Sequence, residues 1–496
     1  MQSLNRTSTW PVLSPQQVRQ LEPALQAQSA IPLMQSAGLA CARLALALAP
    51  HAQRLWIAAG PGNNGGDGLQ AALYLHQWGK PVLVSLMASP EQSPQDAQAA
   101  LQRARLAGVR IENQVPDKWL AQMGAQDLCI DALLGIGASR ALSPDMWAWV
   151  QALQGCAAPV LAIDVPTGLN PRSGQWLGKQ RGQETAVRVD HTLSLIAVQA
   201  GLLMGHGRDA SGQIWLDDLG YRPDQHGVSP LAWLNRAHSP PSKPHASHKG
   251  SHGDVAVIGG EMDDGGMGMG GAAILAAKAA LNAGAGRVML SLLSSGRAHS
   301  SAPPDLMQRD HNQLALHQLS VVCGCGGGQA VQAVLPKVLL HSAQLVLDAD
   351  GLNALAQDPQ LQTLLRQRAP LQTTVLTPHP LEAARLLHCS TSEVQHDRLT
   401  AAQSLAERFQ CCVLLKGSGT VIAAPGETPR INTTGNGRLA MGGTGDVLAG
   451  LIGARLAQGL GAFEAACSAA AQHAQLANDW PEGQALTASR LAARLA

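Results

Sequence analysis

The chain has 496 residues, and this length exceeds the size at which a single hydrophobic core stops growing, so we expect at least two domains. Hydrophobic residues make up 46% of the chain and charged residues 14%, which is ample for sizeable cores. The formal net charge of +1 gives no electrostatic reason to expect a nucleic acid or an anionic membrane as a partner.

The nine cysteines are sparse, odd in number and free of C-x-x-C spacing. This pattern indicates neither a zinc site nor a disulfide framework, and most of these thiols are expected to be buried. The first residues lack the cationic start and apolar core of a signal peptide. No apolar run approaches the roughly 18–20 residues that span a bilayer. The sequence therefore predicts a cytoplasmic protein.

The first half of the chain alternates predicted helices and strands. Ser14 is a plausible N-cap for a helix that starts at Pro15. Further helices are predicted over 31–49, 69–78 and 94–106. Short apolar runs predict strands over 54–59, 81–87, 127–130, 160–163 and 191–197. This alternation is typical of a mainly parallel sheet that is covered by helices on both faces.

Three polar loops follow strands in this half, and ligands bind at such strand ends in parallel sheets. The first is Gly60-Pro-Gly-Asn-Asn-Gly-Gly-Asp-Gly68, whose Asn63, Asn64 and Asp67 could hold ribose hydroxyls, a monovalent cation or phosphate. Asp131 and Asp164 lie in the other two loops and are expected to face the same crevice. A lone Asp in such a position is more often a helix cap, but three polar loops in one sheet favour a site.

A stretch rich in Pro, Ser, His and Gly, residues 239–253, predicts a linker, with domains over 1–224 and 225–496. Histidines 238, 245, 248 and 252 are irregularly spaced, so a solvated loop is favoured over a metal site. Beyond it, strands are predicted over 254–258, 288–293, 319–323, 344–347, 373–376, 412–415 and 420–423. Helices are predicted over 270–283 and within a final helical region, 447–478.

Gly442-Gly443-Thr444-Gly445 places Asp446 in the first turn of that last helical region, where backbone N–H groups attract anions. Such a carboxylate can take a proton from a hydroxyl that attacks a phosphate, although it can also simply cap the helix. Lys416-Gly-Ser-Gly-Thr420 offers a cation and free N–H groups for phosphates. Further polar loops lie at 324–328, 348–353 and 377–382. Taken alone, Lys416 could form only a surface ion pair, and His379 could simply lie in a rigid turn between two prolines. Taken together, these loops predict a nucleotide-phosphate site.

The motifs GPGNNGGDG, DALLGIG and IDVPTGLN resemble the N-terminal domain of the bifunctional NAD(P)H-hydrate repair enzymes. The later motifs GDVAVIGG, DADGLN, TPHPLEAARLL, KGSGT and GGTGDVLAG resemble their C-terminal domain, in the family's order. The resemblance implies an α/β fold with a Rossmann-like three-layer α/β/α domain followed by a ribokinase-like α/β domain. It also implies epimerisation of hydrated NADH or NADPH by the first domain and ADP-dependent dehydration of the S form by the second.

For the first domain, the resemblance implies a potassium ion held by Asn64, Asp131 and Thr167. The position of Asp131 also makes it our candidate for shuttling the proton in epimerisation. The resemblance implies that the hydrated dinucleotide is bound by Asn63, Asn64, Gly65, Gly66, Asp67, Gly135, Ile136, Gly137, Ala138, Ser139, Arg140, Ala141 and Asp164.

For the second domain, Asp446 is the expected catalytic base, and magnesium is the expected divalent ion. The implied ADP contacts are Lys416, Gly417, Ser418, Gly419, Thr420 and Gly445. The implied hydrate contacts are Ala272, Gly326, His379 and Asp446. The chain departs from the family pattern at Cys325, where Pro is usual, at Gly437-Arg438, and in the segment 262–269.

Two alternative functions stay open at this point. A ribokinase-like kinase for a vitamin precursor or sugar would use Asp446 in the same way, so the catalytic loop does not separate it from a dehydratase. The partner domain does, because ordinary ribokinase-like enzymes lack it. A non-enzymatic binding role for the first domain is disfavoured by its intact Asp131 and Asn64. The expected partners are hydrated NADH or NADPH, ADP, and further copies of the chain.

Overall fold

The computed structural model divides the chain into two compact units, Met1–Ala232 (unit 1) and Trp233–Ala496 (unit 2). It describes residues 1–5, 7–87, 93–178, 187–236, 244–262, 268–294, 302–368 and 372–495. His238 and residues 263–267, which the sequence analysis singled out, lie outside these ranges. Across the described ranges, no single helix is long and apolar enough to cross a membrane; the helices Pro15–Gln28 and Leu33–Leu48, bent by 97°, meet that criterion only as a pair.

Unit 1 contains ten strands, and eight of them form one sheet. Its strands are β1 (Gln2–Ser3), β2 (Pro11–Leu13), β3 (Leu55–Ala59), β4 (Val82–Leu86), β5 (Arg110–Glu112), β6 (Leu128–Ala132), β7 (Val160–Ile163), β8 (His191–Leu195), β9 (Val198–Gln199) and β10 (Gln213–Asp217). Its helices are α1 (Pro15–Gln28), α2 (Leu33–Leu48), α3 (Asn63–Gln77), α4 (Gln95–Leu106), α5 (Asp117–Leu120), α6 (Pro144–Gly155), α7 (Ala200–Leu203), α8 (Gly207–Ala210) and α9 (Pro223–His226). The sheet order is β1-β10-β8-β7-β6-β3-β4-β5.

The alternation of side chains along β3 explains the layers of unit 1. Ile57 belongs to an apolar cluster with residues of α2, α3 and α4, whereas its neighbour Trp56 belongs to a second cluster with residues of α6. Successive strand residues point to opposite faces, so helices cover both sides of the sheet. All pairings are parallel except that of β1 with β10, which confirms the predicted mainly parallel sheet.

The start of α3 differs from the prediction. The helix begins at Asn63, not at Leu69, so most of the glycine loop forms its first turns. The glycines act there by allowing close packing. A Cβ at Gly65 would lie 2.0 Å from the carbonyl oxygen of Gly60, and one at Gly68 would lie 2.7 Å from the Cβ of Ala132. The helix therefore starts directly against the ends of β3 and β6.

Unit 2 has a longer, mixed sheet. Its strands are β11 (Ala232–Asn235, from Trp233), β12 (Asp254–Met262), β13 (Arg287–Ser294), β14 (Met307–Gln308), β15 (Ser320–Cys323), β16 (Gln344–Leu347), β17 (Thr373–Leu376), β18 (Cys412–Leu415), β19 (Thr420–Ala423) and β20 (Arg430–Asn432). Its helices are α10 (Gly270–Asn282), α11 (Val331–His341), α12 (Asp350–Gln357), α13 (Pro359–Arg368), α14 (Pro380–Leu387), α15 (Thr391–His396), α16 (Arg398–Phe409), α17 (Thr444–Ala457), α18 (Ala462–Asn478) and α19 (Ala488–Ala493). The strand order is β14-β13-β12-β15-β16-β17-β18-β19-β20-β11, and only β18–β19 and β19–β20 pair antiparallel.

The predicted strands β16, β17, β18 and β19 are confirmed at both ends. Other elements differ from the prediction, and two of them are instructive. Strand β12 continues to Met262, because Gly260 takes a positive φ of 66° at an irregularity in its pairing with β13. The final helical region consists of two helices, α17 and α18, and Gly459, with a φ of 93°, lies in the turn between them. Glycine adopts that conformation without steric cost, so the turn forms there.

Candidate active sites

The first candidate site is a cavity of about 680 Å³ in unit 1, at the edge where β3, β6 and β7 end. The start of α3, the loop after β6, Asp164 after β7, and α1 form its walls. Its polar lining residues are Arg19, Glu22, Gln26, Asn63, Asn64, Asp67, Asp96 and Asp164. The prediction that Asp164 shares a crevice with Asn63–Asp67 is confirmed. The lining by Arg19 and Glu22 was not predicted, because they lie on a helix far away in the sequence.

Buried carboxyl groups dominate the electrostatics of this cavity. Burial, and secondly the nearby Glu22, raises the pKa of Asp164 to about 7. Burial also raises the pKa of Asp67 well above its usual value, with Asp164 and Glu22 adding to the effect. Asp164 has a positive φ of 64°, a conformation that costs free energy in a residue other than glycine and is often found at functional sites. The cavity thus presents a carboxyl group that can gain or lose a proton near neutral pH.

The loop after β6 approaches this carboxyl group closely. A Cβ at Gly135 would lie 2.8 Å from Oδ2 of Asp164 and 3.2 Å from Oδ1 of Asn64, so a larger residue there would displace these side chains. Asn64 is buried, and neither its Oδ1 nor its Nδ2 has a hydrogen-bond partner in the described part of the chain. Buried amides are normally paired, so the amide of Asn64 is a group that a bound ligand could satisfy. Gly135–Ala138 line the cavity, whereas Ser139, Arg140 and Ala141 continue the loop on the exposed surface.

Asp131, predicted to face the same crevice, is fully buried instead. Its carboxylate accepts hydrogen bonds from the backbone N–H of Thr167 at 2.8 Å, from Oγ1 of Thr167 at 2.8 Å, and from the N–H of Leu133 at 3.2 Å. Burial raises the pKa of Asp131 to about 6, and these hydrogen bonds oppose the rise. Thr167 Oγ1 also accepts the N–H of Leu134 at 3.0 Å. Asp131 and Thr167 therefore fix the start of the loop that lines the cavity.

The second candidate site lies in unit 2, where α17 begins. Asp446 is the third residue of that helix, as predicted. Lys416 Nζ contacts Oδ1 of the buried Asp348 at 2.6 Å, so Lys416 forms a largely buried ion pair and not a surface one. A Cβ at Gly445 would lie 3.5 Å from Lys416 Nζ. Ligand atoms of Cys325, Asp348 and Asp446 all lie within 4.8 Å of one another.

The surroundings of Asp446 suit a base that works near neutral pH. Burial foremost, and then the neighbouring carboxylate of Asp348, raises the pKa of Asp446 to about 6. The thiol of Cys325 donates a hydrogen bond to the Asp446 carboxylate, and the positive charge of Lys416 attracts that carboxylate. Both effects lower the pKa of Asp446 and so oppose the effect of burial. A base is most effective when its pKa lies close to the working pH.

The loop from Lys416 to Thr420 joins β18 to β19 and is held by a buried arginine. Arg398 Nη2 donates to the carbonyl oxygens of Leu415 at 3.2 Å, Lys416 at 3.0 Å and Gly419 at 3.3 Å. Gly417 has a φ of 134°, and a Cβ there would lie 3.0 Å from the guanidinium. Sequence reasoning missed Arg398, since nothing in its local pattern indicates contact with this loop.

The residues predicted to contact the hydrate form two groups, Gly326 with Ala272 and, separately, His379. Gly326, with a φ of 58°, packs so closely on α10 that a Cβ there would lie 3.0 Å from that of Ala272. His379 caps α14, and its Nε2 lies 3.2 Å from Oε1 of Glu382. Glu382 is buried and its other carboxylate oxygen lies 3.9 Å from Lys416 Nζ. The sequence analysis assigned no role to Glu382, but this residue connects His379 to the Lys416–Asp348 pair.

Comparisons with known proteins find matches to both units. Residues 30–201 match the family described as YjeF-related protein N-terminus, and residues 255–496 match NAD(P)H-hydrate dehydratase. A bifunctional NAD(P)H-hydrate repair enzyme of Escherichia coli is 34% identical over 464 residues, which cover 90% of this chain and 84% of the relative. That of Coxiella burnetii is 35% identical and covers 93% of both chains.

Among solved structures, an ADP/ATP-dependent NAD(P)H-hydrate dehydratase from Bacillus subtilis, co-crystallised with ATP and Mg²⁺, is 28% identical with a TM-score of 0.42. The match covers 51% of this chain and 91% of that one. The sequence relatives span both units and retain their order. The chain therefore belongs to the family of bifunctional NAD(P)H-hydrate repair enzymes.

Proposed function

We propose that this chain restores NADH and NADPH from their hydrates. Unit 1 interconverts the R and S epimers, and unit 2 removes water from the S form at the expense of ADP, giving AMP and phosphate. The observation that carries the proposal is the meeting of Asp446, Gly445 and the Lys416–Asp348 pair at one point of unit 2. Family membership supplies the substrate.

The test is incubation of the purified full chain with mixed-epimer NADH hydrate, with and without ADP. We expect the absorbance of NADH to return only with ADP, and to return completely, since epimerisation feeds the R form into dehydration. Recovery that stops when the S form is exhausted would remove the epimerase assignment. A kinase acting on another small molecule would restore no NADH at all.

In unit 2, Asp446 removes the proton from the hydrate's hydroxyl as that oxygen attacks the terminal phosphorus of ADP and AMP departs. Phosphate then leaves the ring carbon with the former hydroxyl oxygen, the neighbouring ring carbon gives up a proton to solvent, and the double bond of NADH or NADPH reforms. Lys416 and the N–H groups of Gly417–Thr420 hold the phosphates, while Ala272, Gly326 and His379 contact the hydrate. The raised pKa of Asp446 lets it accept the proton near neutral pH.

Magnesium fits this site through two carboxylates. Asp348 and Asp446 supply oxygen atoms, which magnesium prefers, whereas the thiol of Cys325 is a poor ligand for it. Bound magnesium would neutralise charge on the phosphates of ADP. Asp348 is paired with Lys416, so the lysine would share that carboxylate with the ion.

The first prediction concerns nucleotide affinity. Lys416→Ala should weaken ADP binding at least tenfold, because a charge-assisted contact to phosphate contributes about 1.5–3 kcal/mol and because Asp348 is left buried without its cation. Isothermal titration with ADP measures the change. Lys249→Ala, at an exposed lysine of the same unit, is the control. Equal ADP affinity in the two variants would place the nucleotide elsewhere.

A second prediction follows from the protonation of Asp446. Since its raised pKa is about 6 and its carboxylate form is the active base, the dehydration rate should fall as the pH falls through about 6. The measurement is the initial rate at saturating ADP and S hydrate between pH 5 and 8. A rate that stays constant down to pH 5 would contradict the assignment, since neutral Asp446 accepts no proton.

In unit 1, Asp164 is a carboxyl group of the cavity wall whose pKa is raised to about 7, so we propose that it moves the proton at the hydrated carbon. We also propose that a potassium ion is held by Asn64, Asp131 and Thr167. In support, Asn64 Oδ1 is buried and unpaired in the described residues, and Thr167 Oγ1, which donates to Asp131, accepts the N–H of Leu134 in the loop after β6. The ion would fix the loop and compensate the buried carboxylates. Asn63–Asp67 and Gly135–Ala141 bind the dinucleotide in this scheme. A cytoplasmic location and self-association stay predictions of the sequence.

A further inference from the structure

Two cysteines of unit 1 lie in the same apolar cluster. Cys129 lies in β6 and Cys156 follows the last residue of α6, and their side chains are hydrogen-bonded to each other. Both belong to one apolar assembly, in which Cys129 is fully buried and Cys156 is partly exposed. The backbone holds the two segments together, since the N–H of Cys129 donates to the carbonyl of Pro159 at 2.9 Å. A disulfide requires two cysteines on neighbouring segments, and these two meet that condition.

The surroundings of Cys156 favour its thiolate. Its sulfur accepts hydrogen bonds from the Cys129 thiol and from the backbone N–H groups of Ala157 and Ala158. These donors lower the pKa of Cys156 to about 6, the Cys129 bond being the largest cause, while burial and the carboxylate of Asp127 oppose them. The thiolate, and not the thiol, is the form that attacks peroxides and disulfides.

We propose that Cys156 and Cys129 form an oxidisable pair that hydroperoxides convert to a disulfide. The Cys156 thiolate attacks one peroxide oxygen, the O–O bond breaks, and Cys156 becomes a sulfenic acid as hydroxide or alkoxide leaves and takes up a proton. The Cys129 sulfur then attacks the Cys156 sulfur, and the sulfenic hydroxyl leaves as water with the Cys129 proton. Hydrogen peroxide thus oxidises two thiols to one disulfide and yields two molecules of water.

The other described cysteines lack this combination of features. Cys412 and Cys467 lie close enough to influence each other's charge, but both are buried and their pKa values are raised by burial. Cys389 is partly exposed, yet its pKa is raised, by partial burial and by Glu393. Cys156 joins partial exposure, hydrogen-bond donors and an adjacent thiol. The proposal for this pair does not depend on the proposed repair reaction.

The experiment treats the native full-length protein with equimolar hydrogen peroxide at neutral pH, blocks the remaining thiols with N-ethylmaleimide, and maps peptides by mass spectrometry without reduction. We expect a cross-linked peptide joining Cys129 to Cys156, lighter by two hydrogen atoms, that dithiothreitol separates. In Cys129→Ser the cross-link should be absent and dimedone should label Cys156 as a sulfenic acid. The matched control, Cys389→Ser, should cross-link as the wild type does.

Circular dichroism establishes that each variant is folded, and Cys129→Ala serves if the serine variant is not. Failure of the wild type to cross-link while Cys389 becomes oxidised would overturn the proposal. So would equal dimedone labelling of Cys156 in the wild type and in the Cys129 variant, since Cys129 would then play no part in resolving the sulfenic acid.

Discussion

Replacing Asp446 by Asn lowers the ADP-dependent dehydration of S hydrate by about 10²–10⁴-fold, the usual loss when a general base is removed. The amide keeps the size of the side chain and its place in the first turn of α17, but it accepts no proton from the hydrate's hydroxyl. The decrease should appear in kcat, because Lys416 and its loop still bind ADP. Initial rates of NADH recovery at saturating ADP give the effect.

Two comparisons make this result specific to Asp446. Asp305→Asn changes an exposed carboxylate of the same unit and should keep the wild-type rate. Epimerisation by the Asp446 variant, followed by chromatography of R and S hydrates without ADP, should also be unchanged. If Asp446→Asn retained most of the dehydratase activity, another group would have to be the base, and Glu382, with a raised pKa of about 7, would be the next to examine.

The second large effect is expected in unit 1. Asp164→Asn should slow the conversion of pure R hydrate to S hydrate by about 10²–10⁴-fold, because the carboxyl group that faces the cavity can no longer carry a proton. Dehydration of S hydrate with ADP should be untouched. Asp96→Asn, at another carboxylate of the cavity wall, is the matched control.

Asp131→Ala should also abolish epimerisation, but through loss of the potassium site, which the melting temperature of the protein detects. Since Asp131 is buried under the loop with Thr167, its loss should remove the potassium site as well. Potassium should therefore raise the melting temperature of the wild type and of Asp164→Asn, but not that of Asp131→Ala. An Asp164→Asn enzyme with wild-type epimerisation would return proton transfer to Asp131, as the sequence first indicated.

The strands that sequence reasoning located share one property. Residues 344–347 and 412–415 are apolar runs bounded by turn residues, so burial in a parallel sheet follows from their composition. Strands β5 and β20 were missed because Arg110-Ile-Glu112 and Arg430-Ile-Asn432 are short and mostly polar. They are strands because a neighbouring strand pairs with them, which is a tertiary effect that composition does not show.

The sites were predictable where the chemistry is local and not where it is long-range. A glycine-rich turn before a helix identifies Asp446 from its own neighbours. By contrast, Arg398 reaches the Lys416 loop from a helix that ends before β18, and Glu22 reaches Asp164 from α1. The burial of Asp131 was missed for a similar reason: its partner Thr167 comes from the next strand end, and pairing with it turned a presumed crevice residue into a buried one.

The hydrogen bonds from Arg398 to the loop between β18 and β19 have a thermodynamic consequence. The guanidinium donates to the carbonyl groups of Leu415, at the end of β18, and of Lys416 and Gly419 in the loop. The conformational entropy of ordering the loop is therefore lost during folding and not when ADP binds. The ADP that we propose to bind here would therefore meet a loop that is already ordered. Association can then proceed in a single step, without waiting for a slow rearrangement of the loop, and the binding free energy remains available for holding ADP against the hydrate.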